Sequence, residues 1–138
     1  MNFIERFAAE AELLVGTRFR LHGRVAETGL DCVGLVARAL EAAGRRAIAP
    51  GGYSLRNAAI DDLLAFAGRN LFFPCHEPLA RGDLLLVRPG PAQHHLIIAI
   101  SRDGFVHAHA SLGRVVLHRG PLSWPVLFHW RLAPSSEE

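Results

Sequence analysis

Lysine is absent: all fifteen basic residues of this 138-residue chain are arginine. With the richness in Ala and Leu, that reads as coding bias more than function. Thirteen acidic residues bring the formal net charge to only +2. Such a surplus cannot neutralise many phosphates unless it clusters, so no nucleic acid is expected as a partner. Cysteine is scarce as well. Cys32 and Cys75 are too few for a disulfide scaffold and do not suit a four-thiolate zinc site. No apolar run approaches the ~20 residues that cross a bilayer, so no membrane insertion is expected. The basic start, apolar stretch and small-residue cleavage site of a secretory signal are missing too, and the chain reads as a product made in the cytoplasm. Internal repeats, low-complexity tracts and Pro-, Gly- or Ser-rich linkers are also lacking. The expectation is a single domain over residues 1–138, with 132–138 as a frayed tail.

What is present suits a folded core. Half the residues are hydrophobic and a fifth are charged, ample apolar surface to offset the entropy of ordering. Residues 1–16 carry Phe3, Ile4, Phe7, Leu13 and Leu14 among Glu5, Glu10 and Glu12, an amphipathic helix closed by Gly16. A polar, Gly-punctuated loop follows over 17–29. A second helix is expected over 32–43, since Cys32, Leu35, Val36, Ala39, Leu40 and Ala43 follow helical spacing and Gly44 stops it. A third spans 60–67, started at or near Asn57 and ended by Gly68. From Asp83 the pattern turns to short β-rich runs at 84–88, 94–101, 105–110, 114–118 and 126–131, separated by Gly and Pro punctuation. Strands so close together, with no helices between them, make an antiparallel sheet. The fold class is therefore α+β: N-terminal helices packed on a five-stranded antiparallel sheet or small open barrel.

Cys32 opens the second helix, where unpaired N–H groups and the helix dipole favour negative charge. A thiol there is expected to have its pKa lowered toward the attacking thiolate. Asp31 can cap the helix, and Gly34 lets it approach its neighbour. The same position also suits a small apolar core residue, because free Cys is among the most buried types. A thiolate nucleophile needs a base and a group that orients it. Among eight histidines, His95 and His107 stand in strands, and alternation turns His94 opposite to His95. The hairpin between the strands tests the pairing. A two-residue Asp103-Gly104 turn puts residues 95 and 107 on opposite faces. A three-residue loop at Ser101-Arg102-Asp103, with Gly104 in a left-handed bulge, pairs Ile100 with Gly104. His95 then faces His109, with His107 diagonal on the same side.

Gly29-Leu-Asp-Cys32-Val-Gly-Leu-Val36, Gly82-Asp83-Leu-Leu-Leu-Val87, His95-Leu-Ile-Ile-Ala-Ile100 and Phe105-Val-His107-Ala108 together resemble the NlpC-type, papain-like cell-wall cysteine peptidases. The resemblance runs from about Thr17 to Trp130. It implies a papain-like fold, Cys32 as nucleophile, His95 as base and His107 as the residue that orients it. It also implies amide hydrolysis in peptidoglycan stem peptides, typically at γ-D-glutamyl-diaminopimelate bonds, with no metal and no cofactor. Val33 stands where the family usually has Ser, and with the segment from Gly16 to Arg24 it is similar to the branch found in phage tails and gene transfer agents. Proteins of a phage-tail-like particle are then expected partners, and the chain would act on the wall after lysis or particle-mediated delivery. Phe19 replaces a Tyr whose hydroxyl helps near the active site in many relatives. Oxyanion stabilisation must then rest on backbone N–H groups, chiefly that of Cys32, or on another side chain such as His22.

Weaker patterns are set beside this one. His94, His95, His107 and His109 with Cys75-His76-Glu77 invite a metal reading, but a closed site needs four converging ligands. Cys75 is read as a structural or incidental thiol. Arg20 and Arg24 could hold stem-peptide carboxylates, and Phe128 and Trp130 are expected in the core. Two other readings stay open: a catalytically inactive structural module of a phage-tail-like assembly, and a cysteine amidase or acyltransferase acting elsewhere.

Overall fold

The computed structural model describes residues 1–48 and 60–134. Helix α1 (Phe3–Leu13) begins where Asn2 Oδ1 accepts the Glu5 amide at 2.8 Å. It buries Phe3, Phe7, Ala8 and Ala11, the stripe that helical spacing sets on one side. Helix α2 (Cys32–Ala42) is capped by Asp31 and buries seven of its eleven residues. It is the central helix, covered by α1 on one flank and by the sheet on another. Gly44 follows it at φ +110°, the left-handed turn that glycine adopts without a Cβ penalty. Helix α3 (Ile60–Arg69) runs past the expected stop at Gly68. Gly68 faces open space, so nothing there forces an end. Asn57, the expected starter, lies outside the described residues.

The loop over 17–29 contains a short ribbon that the sequence did not announce, β1 (Arg24–Val25) paired antiparallel with β2 (Gly29–Leu30). Among the described residues the main sheet has six strands rather than five: β3 (Phe72–Pro74), β4 (Leu84–Val87), β5 (His95–Ala99), β6 (Gly104–His109), β7 (Arg114–Arg119) and β8 (Val126–Leu132). Their order is β3-β8-β4-β5-β6-β7, antiparallel throughout. The added strand is three residues long and ends in proline, which suits an edge. It pairs Phe72 with Leu132, and both are buried. Residue 132, expected to begin the frayed tail, is thus part of the sheet; residues 135–138 lie outside the described range.

Both faces of the sheet are covered, so β4 reads as an unbroken apolar run instead of alternating. Leu84, Leu86, Leu96, Ile98, Val106 and Trp130 join the helices in the main core. Leu85, Val87, Ile97, Ala99 and Phe105 form a smaller core on the other face, against Leu79, Leu122 and Trp124. Trp130 is buried as expected. Phe128 is 39% exposed, stacked on Trp130 with ring centroids 5.6 Å apart beside the register shift between Leu86 and Val87.

The β5–β6 hairpin has the register that sets His95 and His107 on one face: Ile98 pairs with Val106 and Ala99 with Phe105. The Ile100 amide donates to Gly104 O at 2.9 Å, closing a three-residue loop. The left-handed bulge is absent, since Gly104 is not among the positive-φ glycines. A Cβ at Gly104 would stand 2.8 Å from Ser101 Oγ, an exposed side chain that can turn away, so the loop's register and not a steric need for glycine sets the hairpin.

Candidate active site

Asp31, 1% exposed, organises the start of α2. Its Oδ1 accepts the Gly34 amide at 2.8 Å and Arg24 Nη1 at 3.1 Å, and its Oδ2 accepts the His22 amide at 2.8 Å. One carboxylate therefore caps the helix and ties it to the loop before it. The approach is tight: a Cβ on Gly34 would lie 1.9 Å from Gly23 O. Cys32 is the first residue of the helix, and the backbone amides of Leu96 and Val33 reach its sulfur. The N-terminus of α2 is thus seated against the beginning of β5, beside His95.

His95 and His107 project from neighbouring strands on the face shared with Ile97 and Phe105. His95 Nε2 and His107 Nδ1 are 3.1 Å apart, with the rings nearly perpendicular at 81°. One proton lies between two nitrogens at that distance. Trp124 closes the pair from a third side, its ring 6.0 Å from His95 and 5.4 Å from His107, edge to face. A cleft of about 200 Å³ joins these groups, lined by Phe19, Leu21, Asp31, Cys32, Gln93, His94, His95, His107, His109, Ser111 and Trp124 among others. Cys32, His95 and His107 thus meet in one cleft. His94 reaches its rim too, since the cleft lies at the end of the strand, where both faces open.

The electrostatics depart from the sequence reading. Burial, and after it the Asp31 charge, push the Cys32 thiol up to about 12, against the pull of the Leu96 and Val33 amides and of Arg24. A helix N-terminus contributes about 0.3–1 kcal/mol toward the thiolate, and desolvation outweighs it. Burial also holds His95 down to about 3, with His107 and His109 adding to the effect. His107 is held down to about 4 by burial, then by His109 and His118. At neutral pH these shifts leave Cys32 as the thiol and His95 and His107 as neutral imidazoles. With His95 Nε2 engaged by His107, Nδ1 is the nitrogen left to receive a proton.

His22 stands at φ 62°, a left-handed conformation costly for a side chain, and its amide is bonded to Asp31. It is not among the residues lining the cleft. Arg24 is paired with Asp31, and Arg20 does not line the cleft either. Among the described residues, the one group of converging metal-type donors lies elsewhere. It joins Cys75 to Asp83 and His129 rather than to His76 and Glu77. Sequence reasoning missed it because β8, last in the chain, inserts between β3 and β4.

No protein-family model matches the chain, and no curated protein matches it. Solved structures do. NlpC2 from Trichomonas vaginalis superposes with a TM-score of 0.71 at 16% identity, over 98% of this chain and 48% of that one. The P60 domain of an antigen from M. avium subspecies paratuberculosis gives 0.61 at 21% identity, covering 94% of each chain. The peptidoglycan hydrolase RipB from Mycobacterium tuberculosis gives 0.61 at 21% identity, over 94% of this chain and 64% of its own. The chain spans about half the length of the Trichomonas protein and nearly all of the P60 domain. At these identities the likeness is one of fold, the α+β arrangement seen in these NlpC and P60 structures.

Proposed function

We propose that this chain is a cysteine peptidase of the NlpC/P60 type that hydrolyses amide bonds in peptidoglycan stem peptides, with γ-D-glutamyl-diaminopimelate as the target linkage. The observation that carries the reading is the 3.1 Å contact between His95 Nε2 and His107 Nδ1, in the cleft that also holds Cys32 at a helix N-terminus. The shared fold with a structure described as a peptidoglycan hydrolase supports the substrate class.

In this reading Cys32 Sγ attacks the amide carbonyl carbon while its proton passes to His95 Nδ1. His107 accepts the Nε2–H of the imidazolium and fixes its plane. The C–N bond then breaks, His95 returns the proton to the leaving amine, and an acyl thioester remains. Water, deprotonated by His95, attacks the thioester and frees the carboxylate and the Cys32 thiol. Phe19 offers no hydroxyl and His22 does not line the cleft, so the backbone N–H of Cys32 is the oxyanion donor. Work on the wall after lysis or delivery by a phage-tail-like particle belongs to the same proposal.

A catalytically idle module with this fold is the second reading, and the raised Cys32 thiol is the observation on its side. Digestion of purified muropeptides, with products identified by mass, decides between them. The wild-type chain is expected to release stem-peptide fragments, and Cys32→Ala is expected to release none while unfolding at the wild-type denaturant midpoint. Cleavage that survives Cys32→Ala would overturn the nucleophile. A folded wild-type chain that cleaves no muropeptide would leave the idle module, or an amidase or acyltransferase with another substrate.

A further inference from the structure

We propose that Cys75, Asp83 and His129 form a binding site for one zinc-type divalent cation, away from the cleft and independent of its function. The donors come from β8 and from the residues just past β3 and just before β4. The Cys75 amide donates to His129 O at 2.9 Å, which carries the β3–β8 ladder one residue past Pro74 and sets Cys75 across from His129. Asp83 immediately precedes β4 on the other side of β8, and its Oδ2 is 2.6 Å from His129 Nε2. One donor atom from each residue lies within 4.8 Å of the others. The Asp83 carboxylate is buried, while Cys75 and His129 are partly open. The floor of the site is therefore fixed by the sheet, and its mouth faces solvent.

Thiolate, imidazole and carboxylate together suit zinc and not magnesium or calcium, which take oxygen donors. Zinc holds such donors at about 2.0–2.3 Å in a tetrahedron, so Cys75 must close in by roughly an ångström and His129 must back off Asp83 slightly. The cation would replace the thiol proton of Cys75, releasing it to solvent, while His129 would ligate through Nε2 as the neutral imidazole with its proton carried on Nδ1. Arg131 opposes and supports the site at once. Its Nε holds Asp83 Oδ1 at 2.9 Å and its Nη2 holds Oδ2 at 3.0 Å, and the latter bond must yield to the metal, which would share Oδ2 with the Ala80 amide that donates to it at 2.9 Å. The former remains as the outer contact that orients a ligating carboxylate. Glu77 lies close enough to act on the Arg131 charge, so thiolate, two carboxylates, guanidinium and dication sum to neutrality.

The experiment uses the full chain carrying Cys32→Ala, which removes the cleft thiol. Zinc is titrated against a chromophoric chelator, and cobalt(II) is added separately while the near-ultraviolet spectrum is recorded. Expected are one zinc per chain with Kd in the micromolar range or tighter, a thiolate-to-cobalt charge-transfer band, and a melting temperature that rises with zinc. Adding Cys75→Ser, an isosteric change at a partly exposed position, is expected to weaken zinc at least tenfold and abolish the band. Zinc binding weaker than about 100 μM, binding unchanged by Cys75→Ser, or a cobalt spectrum without the thiolate band would each overturn the site. Stoichiometric zinc found in the wild-type chain and lost with Cys32→Ala would place the metal in the cleft and also overturn it.

Discussion

Asp31→Asn should act in opposite directions on stability and on thiol reactivity. The variant keeps Oδ1, so the bond from the Gly34 amide survives, and Asn caps helices about as well as Asp. The Oδ2 side becomes an NH₂ that confronts the His22 amide, now 2.8 Å from an acceptor. Setting a buried donor against a donor costs about 1–3 kcal/mol. Arg24, 29% exposed, loses its charge partner, a pair in the range of about 1 kcal/mol or less at that exposure. The total is about 1–4 kcal/mol, a melting-temperature drop on the order of 10 °C for a domain of this size.

The thiol should gain what the fold loses. Asp31 is the second cause of the rise in Cys32, after burial, and the neutral amide removes it. Each pKa unit of descent multiplies the thiolate fraction tenfold at neutral pH, while intrinsic nucleophilicity falls about threefold. The net gain in alkylation is roughly three- to fourfold per unit. Iodoacetamide modification at pH 8, followed by intact mass in a Cys75→Ser background, measures it. The series is repeated in low urea, so that modification through global unfolding is recognised by its denaturant dependence. A folded Asp31→Asn whose alkylation is no faster than its parent would refute the assigned role of the charge, and an unchanged unfolding midpoint would refute the assigned roles of the Oδ2 bond to the His22 amide and of the Arg24 pair.

Four further outcomes are expected. His95→Ala should lower muropeptide cleavage by about 10²–10⁴-fold, the range for a general base. His107→Gln should lower it less, with kcat falling more than KM changes; equal losses would mean that His107 does more than orient. Stability should fall as pH drops below about 6.5 toward 4 and 3, because His95 and His107 are held low in the fold and the unfolded chain then binds more protons. It should also fall as pH rises from about 9 toward 12, where the unfolded chain ionises a thiol that the fold keeps neutral. Urea unfolding across pH, with His107→Gln and Cys32→Ala as controls, reads both limbs, at up to ~1.4 kcal/mol per pH unit per group. Gly34→Ala should destabilise despite about 1 kcal/mol of gained helix propensity, since its Cβ would stand 1.9 Å from Gly23 O; a wild-type melting temperature would show that the ribbon yields freely.

Much of this fold was readable because its signals are local. Asp31 before Cys32, the apolar stripe of α2 and Gly44 after it are contained within four turns of chain. The register of the β5–β6 hairpin follows from one loop length, and with it the meeting of His95 and His107. What escaped was non-local. β3 is a three-residue edge strand that has meaning only beside β8, and β8 separates β3 from β4 although it comes last. Nothing in the spacing of residues 75, 83 and 129 brings their side chains together. Local logic also missed His22, because a left-handed φ at a non-glycine residue answers to the bond between its amide and Asp31, not to its own preference.

The sign of the Cys32 shift belongs to the same distinction and bears on how the cleft works. A helix N-terminus is visible in sequence, and alone it argues for a thiolate. Burial and the facing carboxylate are visible only in three dimensions, and they win. A preformed thiolate–imidazolium pair is therefore disfavoured in the resting cleft, because both ions lack the solvation they need. Proton transfer from Cys32 to His95 is favoured only when charge appears elsewhere at the same moment. In the proposed reaction that charge is the oxyanion on the substrate carbonyl, met by the backbone N–H at the start of α2. The thiol is then unreactive toward small electrophiles in the free chain and reactive toward an amide seated in the cleft. Slow alkylation of the wild-type chain at pH 8 is thus compatible with an enzyme, and a thiol whose alkylation slows further with bound stem peptide while hydrolysis proceeds would be its signature.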